Sequence, residues 1–220
     1  MISINGSVGY KSNNSPLDVE NIINLLSERK NQSRYNKVLS EMYVPSPNEV
    51  GCIDKLTTAI KYFQRNFQKL GKPDGIVSPN GNTILFLGGI RSSDKTIIVD
   101  LDKQNLYAYS GSSLVFDFYC TSGDSSHPTA TWPSLHKIMR KYEIYRSRTY
   151  DAQMNYAMFF TYDGKAIHQS HAVGVTTWLK SAGIDAFGSH GCVRLSEINA
   201  RMLFNWTPMG TPVFIDLEKL

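Results

Sequence analysis

The heptapeptide Ser189-His190-Gly191-Cys192-Val193-Arg194-Leu195 stands directly before a helical pattern and decides how the second half of this chain is interpreted. Ser196 follows it, and because serine is a good N-cap, a helix is predicted to begin there and to end at Pro208-Gly210. Gly191 has no side chain, which lets a substrate carbonyl approach the backbone and lets neighbouring N–H groups serve as an oxyanion hole. The segment therefore marks Cys192 as a candidate nucleophile.

The neighbours of Cys192 are of types that favour the thiolate, the reactive form of a cysteine. A helix N-terminus carries partial positive charge, His190 can accept a proton, and Arg194 adds a fixed charge. Arg194 has two interpretations, a contact to substrate carboxylates or a structural pair across the helix start. Ser189 is interpreted as a structural hydrogen-bonding residue rather than a catalytic one. This arrangement is typical of nucleophilic acyl transfer.

A second segment, Ala166-Ile167-His168-Gln169-Ser170, supplies a histidine at the end of a strand-like run. The two segments together resemble the signature of the L,D-transpeptidase (YkuD-type) family, a Ser/Thr-His-Gly-Cys element preceded by a distant histidine at a strand end. The resemblance extends over about residues 93–217. It also includes Thr121-Ser122-Gly123 and the strand-like run 155–160.

The resemblance implies roles for individual residues. Cys192 would be the nucleophile and His168 the base, with the imidazole tautomer of His168 fixed by the backbone carbonyl of Gln169. His190, with the backbone N–H groups of Gly191 and Cys192, would border the oxyanion. The implied substrate is a peptidoglycan stem peptide, cleaved between diaminopimelate and its terminal D-alanine. The acyl group would pass to an amine, to a free D-amino acid or to water, which gives crosslinking, exchange or L,D-carboxypeptidase activity.

Two departures from the family pattern bear on the site. Between His168 and Ser189 there are 20 residues, more than the family usually has, whereas 17 residues separate His171 from Ser189. His171 is therefore the alternative base, although His168 has the strand context that the family uses. The family's Thr-Pro-x-Gly turn is replaced by Ala-Thr-Trp-Pro-Ser at residues 130–134. The wall of the site on the substrate side is therefore expected to differ from that of the family. Residues 132–153 are predicted to form a lid.

The second half of the chain has the period-two pattern of strands, and the first half has the pattern of helices. The predicted strands lie at 96–100, 105–109, 114–119, 156–162, 165–169 and 212–216. The Asp163-Gly164 pair is predicted to turn a hairpin between two of them. The predicted fold class is therefore α+β, a small N-terminal helical bundle followed by a mainly β sandwich with one helix after the cysteine.

Residues 1–90 are predicted to form the helical domain and residues 91–220 the catalytic one, with Gly88-Gly89 as the hinge. Helices are predicted at 18–26, 54–69 and 83–87, and the polar stretch 27–50 is interpreted as a surface connection or a frayed helix. The order of Phe63-Gln64 and Asp74-Gly75 resembles the type 1 peptidoglycan-binding domain. The alternative is an unrelated helical cap with an ordinary apolar core.

Composition excludes several classes of protein. The 220 residues carry 23 Lys and Arg against 19 Asp and Glu, a net charge of +4, and no basic run exceeds two residues, so a nucleic-acid partner is not expected. No apolar window is long enough for a membrane span. The three cysteines lack a CxxC spacing, and whether Cys52 and Cys120 form a disulfide stays open.

No metal or other cofactor is predicted. Zinc bound by His168, His190 and Cys192 is disfavoured because no fourth ligand is evident. His127 and His136 lie in a polar stretch and are interpreted as surface residues.

The start of the chain has neither a basic n-region nor an apolar h-region, so no Sec signal peptide is predicted. We therefore expect synthesis in the cytoplasm, export by a non-classical route such as type VI secretion, and action in the bacterial periplasm. The opening residues 3–9 resemble the lead-in of some wall-targeting effectors, which would imply secretion machinery and an immunity protein as partners. The alternative functions are a Cys-His peptidoglycan endopeptidase or amidase, and a non-catalytic peptidoglycan-binding module.

Overall fold

The computed structural model of the chain divides into two compact units, Met1–Asp94 and Lys95–Leu220. It describes residues 2–92, 94–130, 133–148, 151–171, 173 and 189–216. Each unit has its own core of buried apolar side chains. No helix in these ranges is long and apolar enough to cross a membrane.

The first unit is mainly helical. It contains helices α1 (Pro16–Asn31), α2 (Asn36–Leu39), α3 (Cys52–Asn66) and α4 (Asn82–Phe86), a 3-10 turn (Ser33–Tyr35), and the short paired strands β1 (Val8–Gly9) and β2 (Ile76–Val77). The pattern at 18–26 thus belongs to a longer helix. Of the two interpretations of 27–50, the helical one holds for 27–31 and 36–39 and the surface connection is wrong there. Tertiary packing explains the difference, because the buried Arg29 lies over the rings of Tyr35 and Phe67, at 5.7 and 5.9 Å from their centroids.

A buried glutamine explains the spacing of the Phe63-Gln64 and Asp74-Gly75 pairs in this unit. The side chain of Gln64 accepts a hydrogen bond from the Gly75 amide at 2.9 Å and donates to Asp74 Oδ1 at 2.6 Å. It also donates to the Ile76 carbonyl at 3.1 Å. Gln64 therefore ties α3 to the turn that leads into β2.

The carboxylate of Asp18 holds the opening segment in a similar way. It accepts hydrogen bonds from the amides of Asn5 and Gly6, at 3.0 and 2.9 Å, and from the hydroxyl of Ser15 at 2.8 Å. Ser15 in turn caps α1, because its side chain accepts from the Asp18 amide. The opening residues are thereby anchored to the first turn of α1.

The second unit is built mainly from β-strands and has one described helix of full length, α5 (Glu197–Trp206). Its strands are β3 (Lys95–Asp100), β4 (Asn105–Ser110), β5 (Ser113–Tyr119), β6 (Ser134–Lys137), β7 (Arg140–Tyr142), β8 (Arg146–Ser147), β9 (Ala152–Gln153), β10 (Ala157–Phe159), β11 (Ala166–Gln169), β12 (Val193–Leu195) and β13 (Pro212–Asp216). One sheet has the order β5-β4-β3-β13-β6 and another the order β12-β11-β10-β7.

The two larger sheets and α5 share one apolar core. Its members include Ile97 and Val213 from the five-stranded sheet, Ile167 and Val193 from the four-stranded sheet, and Leu203 from α5. Burial of such side chains is the main favourable contribution to folding. The predicted α+β class with a β-rich second half is thus confirmed.

The predicted positions of the strands and of the helix in this unit agree with the structure. β10 and β11 pair antiparallel on either side of Asp163-Gly164, as the turn composition predicts. Ser196 caps α5, since its side chain accepts from the Asn199 amide at 3.3 Å. The lid prediction for 132–153 is wrong for β6 and β7, which are sheet strands, and Trp132 lies outside the described residues.

Candidate active site

The pairing of β11 with β12 brings the two candidate catalytic segments together. These strands are parallel, with His168 opposite Arg194 and Ile167 opposite Val193. Because side chains alternate between the faces of a strand, Ile167 and Val193 enter the main core, and His168 and Arg194 lie on the other face. Cys192 precedes Arg194 by two residues and shares that face, which we call the site face.

Cys192 is half-buried against a small apolar cluster on the site face. Ala157, Phe159 and Ala166 form this cluster with Met154, and Cys192 and Tyr145 pack against it. The rings of Tyr145 and Phe159 meet edge to face, with centroids 5.1 Å apart. One side of the nucleophile is therefore an apolar, aromatic wall.

The expectation that a helix N-terminus favours the thiolate of Cys192 is wrong. The three-residue strand β12 separates Cys192 from the N-cap Ser196. The effect of a helix dipole is confined to its first turn, so it does not stabilise a thiolate at Cys192. Burial raises the pKa of Cys192, and a hydrogen bond from the Ala166 backbone and the charges of Arg194 and Lys165 only partly oppose this. Burial thus favours the neutral thiol over the thiolate.

His168 is buried, with only 6% of its surface exposed. Its Nδ1 lies 2.7 Å from the backbone carbonyl oxygen of Gln169, which makes Nδ1 the protonated donor and leaves Nε2 as the acceptor. Burial lowers the pKa of His168 to about 4; the Gln169 hydrogen bond raises it and the charge of Arg194 lowers it further. At neutral pH His168 is therefore an uncharged base with a fixed tautomer.

His171, the alternative base, lies elsewhere. It is exposed beyond the end of β11, and its Nε2 lies 3.1 Å from the side-chain nitrogen of Gln169. The structure thus places His168, and not His171, on the site face with Cys192. Most of the loop on which the spacing argument depends, 174–188, lies outside the described residues.

Ser189 and Gly191 shape the turn that leads to the nucleophile. The hydroxyl of the buried Ser189 donates to the backbone carbonyl of Cys192, and the Ser189 amide donates to the Ser122 carbonyl at 2.8 Å. Gly191 has a φ of +89°, and a Cβ atom there would lie 2.7 Å from Cε of Lys165. The positive φ and the close approach of Lys165 therefore favour glycine at position 191. The Ser189 hydroxyl is bonded to the Cys192 carbonyl and has a structural role in the turn.

The segment 121–130 forms the neighbouring wall of the site. Thr121 exchanges backbone hydrogen bonds with Arg194 at 3.0 and 2.9 Å, and the Gly123 amide donates to Thr129 Oγ1 at 2.8 Å. Gln104, to which the sequence assigns no role in the site, donates to Ser122 Oγ and accepts from its amide, each at 2.9 Å. A buried glutamine thus anchors this wall to the five-stranded sheet.

Arg194 is half-buried beside the nucleophile. Burial lowers its pKa, and the charge of Asp124, with that of Cys192 when the thiol is ionised, opposes this. Its backbone is bonded to Thr121, while its side chain shares the site face with His168. Both interpretations of Arg194, substrate contact and structural pair, are compatible with this position.

His190 is exposed at the rim, where it meets a second histidine. The rings of His190 and His127 are 4.6 Å apart between centroids and tilted by 55°. Asp124 holds His127, since its carboxylate accepts from the His127 amide at 2.7 Å and lies 3.2 Å from Nδ1. His127 is exposed, as predicted for a surface residue, but its contact with His190 could not be read from the sequence.

No three His, Cys, Asp or Glu side chains among the described residues are grouped so that they could hold a metal ion. His168, His190 and Cys192, considered above as zinc ligands, do not form such a group. All three cysteines, Cys52, Cys120 and Cys192, are free thiols.

The family profile of YkuD, the L,D-transpeptidase catalytic domain, matches residues 94–215, more than half of the chain. The chain belongs to the L,D-transpeptidase family. Both candidate segments, 166–170 and 189–195, fall inside the matched range. No curated protein matches the sequence of this L,D-transpeptidase.

One solved L,D-transpeptidase structure shares this fold at low sequence identity, and others are similar over part of the chain. The Stackebrandtia nassauensis L,D-transpeptidase is 19% identical, covers 99% of this chain and 96% of its own, and superposes with a TM-score of 0.50. The Mycobacterium smegmatis enzyme is 19% identical over 57% of this chain and 59% of its own, with a TM-score of 0.46. A mutant Enterococcus faecium enzyme is 21% identical over 64% and 54%, with a TM-score of 0.48. The chain spans about three fifths of the length of the mycobacterial structures it matches.

Proposed function

We propose that this L,D-transpeptidase is a cysteine acyltransferase that acts on peptidoglycan stem peptides and cleaves the bond between diaminopimelate and the terminal D-alanine. The family assignment supports the reaction class. One observation carries the proposal furthest: Cys192 shares the site face with His168, whose Nδ1 is held by the Gln169 carbonyl at 2.7 Å. That hydrogen bond leaves Nε2 as the basic atom of the imidazole.

Acylation starts from a neutral pair. His168 Nε2 takes the proton of the Cys192 thiol as the sulfur attacks the carbonyl carbon. The S–C bond forms and the carbonyl electrons move to oxygen, where the N–H groups of Gly191 and Cys192, bordered by His190, stabilise the oxyanion. When the tetrahedral intermediate collapses, the C–N bond breaks and His168 returns its proton to the leaving D-alanine amine.

Deacylation repeats these steps with a new nucleophile. His168 takes a proton from an incoming amine or water as it attacks the thioester carbon, and the proton returns to the Cys192 sulfur when the C–S bond breaks. An amine of a second stem peptide gives a crosslink, a free D-amino acid gives exchange, and water gives L,D-carboxypeptidase activity. No cofactor enters any of these steps.

The two alternative functions predict other arrangements. Cys-His endopeptidases and amidases usually have the histidine after the cysteine in the chain, whereas His168 and His190 precede Cys192. A non-catalytic binding module has no use for a histidine whose tautomer is fixed, so the hydrogen bond of His168 to the Gln169 carbonyl favours an enzyme. Because the pKa of Cys192 is raised, its reactivity in the resting state does not separate an enzyme from a binding module, and turnover must decide.

The proposal is tested by mass spectrometry of disaccharide tetrapeptides incubated with the protein, with and without an added D-amino acid. We expect loss of the terminal D-alanine, its replacement, or dimer formation, and the products identify the acceptor. Cys192→Ala is the matched variant and is expected to form none of them. Unchanged substrate masses with the unmodified protein would disprove the reaction.

The first unit is proposed to bind peptidoglycan. Its support is the resemblance of residues 57–79 to the type 1 peptidoglycan-binding domain and the clamp of Gln64 on Asp74-Gly75. Sedimentation of full-length Cys192→Ala with purified sacculi tests this. A protein that stays in the supernatant at every wall concentration would contradict it.

The role as an antibacterial effector, exported by a type VI route and paired with an immunity protein, is a further part of the proposal. It is supported by the resemblance of residues 3–9 to the lead-in of wall-targeting effectors. Expression with a periplasmic leader should then inhibit growth, and Cys192→Ala should relieve the inhibition. Harmless periplasmic expression of a stable, active protein would contradict the effector role.

A further inference from the structure

A cavity of about 300 Å³ opens in the second unit, beside the turn that precedes the nucleophile. Its walls include Pro128 and Thr129 on one side and Ser134, Thr161 and Lys165 on the other. Pro128 and Lys165 are also the residues that border Gly191: a Cβ atom there would lie 2.7 Å from Cε of Lys165 and 3.3 Å from the Pro128 carbonyl oxygen. The cavity therefore adjoins the backbone of the residue before Cys192, and the charge of Lys165 acts on the Cys192 thiol.

Lys165 gives this cavity its positive charge. Its ammonium group contacts Asp163 at 2.8 Å, and its side chain is only 26% exposed, whereas that of Asp163 is 63% exposed. An ion pair with one partner so open to water is weak. The Asp163 carboxylate also accepts a hydrogen bond from the Thr161 side chain, so another anion has to compete with Asp163 for the ammonium group.

The other polar groups of the cavity suit an anion without adding charge. The Thr129 hydroxyl can donate to an oxygen atom, and the Ser134 hydroxyl lies 3.0 Å from His136 Nε2. His136, predicted as a surface residue, is half-buried because β6 pairs with β13 and its ring lies over Phe160, with centroids 5.5 Å apart. Burial and the charge of Lys165 both lower the pKa of His136, so this ring is neutral at pH 7.

We propose that this cavity is a subsite for a carboxylate of the donor peptide flanking the scissile bond, and that Lys165 is its specificity-determining residue. The inference rests on the proposed function and specifies a carboxylate as the substrate group that the cavity recognises. The stem tetrapeptide carries two such carboxylates, on the side chain of diaminopimelate and on the terminal D-alanine. Each is close to the carbonyl that Cys192 attacks, and each is removed chemically by amidation.

The test compares Lys165→Met, which keeps the length and loses the charge, with Lys165→Arg, which keeps the charge. Lys103→Met is the matched control, because Lys103 also pairs with an aspartate, Asp100, at 3.1 Å, in the turn between β3 and β4. Three substrates are used: the free-acid tetrapeptide, the peptide amidated at the terminal carboxylate, and the peptide amidated on diaminopimelate. KM and kcat are measured for each combination.

Loss of one charge-assisted hydrogen bond should raise KM for the free-acid peptide about tenfold in Lys165→Met, with little change in kcat. Lys165→Arg and Lys103→Met should stay close to the unmodified protein. The peptide that is amidated at the carboxylate bound by Lys165 should show the raised KM with every variant, including the unmodified protein. Which of the two amidated peptides behaves in this way shows which carboxylate occupies the cavity. An equal loss of kcat/KM on all three peptides would show that Lys165 only supports Gly191, and would overturn the proposal.

Calorimetric binding to Cys192→Ala, with and without Lys165→Met, separates this proposal from the proposed function. Preferential binding of the free-acid peptide, lost on removal of Lys165, supports the subsite even if no peptide is turned over. Equal binding of acid and amide, or no binding, overturns the subsite even if the protein is an active transpeptidase.

Discussion

His168 and Arg194 lie directly opposite each other in the parallel pairing of β11 and β12. Both side chains share the site face, so a fixed positive charge stands beside the imidazole that we propose as the base. Burial is the main reason that the pKa of His168 falls to about 4, and the charge of Arg194 lowers it further. The base is thereby kept uncharged well below neutral pH.

The acid limb of the pH profile of kcat/KM should follow the pKa of His168, and it should shift when the charge of Arg194 is removed. Because a base must be unprotonated to act, activity should persist at pH 5 and fall as the pH drops through the pKa of His168, about 4. Arg194→Gln removes the charge and should move the acid limb to higher pH. Arg201→Gln, at an exposed arginine of α5, is the control and should leave the limb in place. An acid limb near pH 6.5 in the unmodified protein would contradict the environment described for His168.

The same burial should make folding stability depend on pH. The pKa of His168 is about 4 in the folded chain and 6.5 when unperturbed, so between these values the unfolded chain binds a proton that the folded chain does not. Stability should therefore fall as the pH drops from 6.5 to 4, by about 3 kcal/mol from this group. Urea unfolding of the unmodified protein and of His168→Gln checks this, since the variant should lack that part of the loss. Parallel stability curves for the two proteins would disprove it.

Cys192 should react slowly with iodoacetamide at pH 7. Its raised pKa keeps it a thiol, so the alkylation rate should still rise above pH 9 instead of reaching a plateau near neutrality. Peptide mapping distinguishes it from Cys52 and Cys120, and Cys192→Ala gives the background. A plateau below pH 7 would show that the free enzyme holds a thiolate.

Gly9→Ala should destabilise the first unit. Gly9 has a φ of +115°, and a Cβ atom there would lie 2.0 Å from the carbonyl oxygen of Gly75, so the β1–β2 pairing must shift. We expect a loss on the order of 3 kcal/mol in the unfolding free energy of that unit. Gly71→Ala is the control, because nothing lies within 4 Å of its Cβ position.

Circular dichroism of the helices is the measurement for Gly9→Ala. The three tryptophans, Trp132, Trp178 and Trp206, all fall in the second half of the chain, so their fluorescence follows the other unit. An unchanged helix transition in Gly9→Ala would contradict the tight approach of these two backbones.

The sequence predicted the strands and helices that follow local rules, and missed those that depend on distant partners. Ser196 and the Asp163-Gly164 turn carry their own signals, so α5 and the β10–β11 hairpin were placed correctly. The three residues of β12 have no such signal, because their strand character comes from pairing with β11. The segment 27–39 is polar in composition, and the packing of Arg29 on Tyr35 and Phe67 that buries part of it cannot be predicted from composition.

The candidate site divides in the same way. The motif and the strand context predict Cys192 as nucleophile and His168 as base, and the structure places both residues on the site face. It gave the wrong charge state for Cys192, because the effect of burial on a pKa depends on three-dimensional surroundings. The contacts that Gln104 and Lys165 make across the fold could not be predicted from the sequence, because their partners are distant in the chain.

The neutral Cys192–His168 pair has a consequence for chemical survival outside the reducing interior of a cell. Peroxides oxidise thiolates much faster than thiols, and the sulfinic and sulfonic products are not recovered by ordinary reduction. A nucleophile that loses its proton only while it attacks a bound carbonyl is exposed to oxidants in its reactive form for a small part of each cycle. The burial that slows alkylation of Cys192 would therefore also extend the working lifetime of the enzyme in an oxidising compartment.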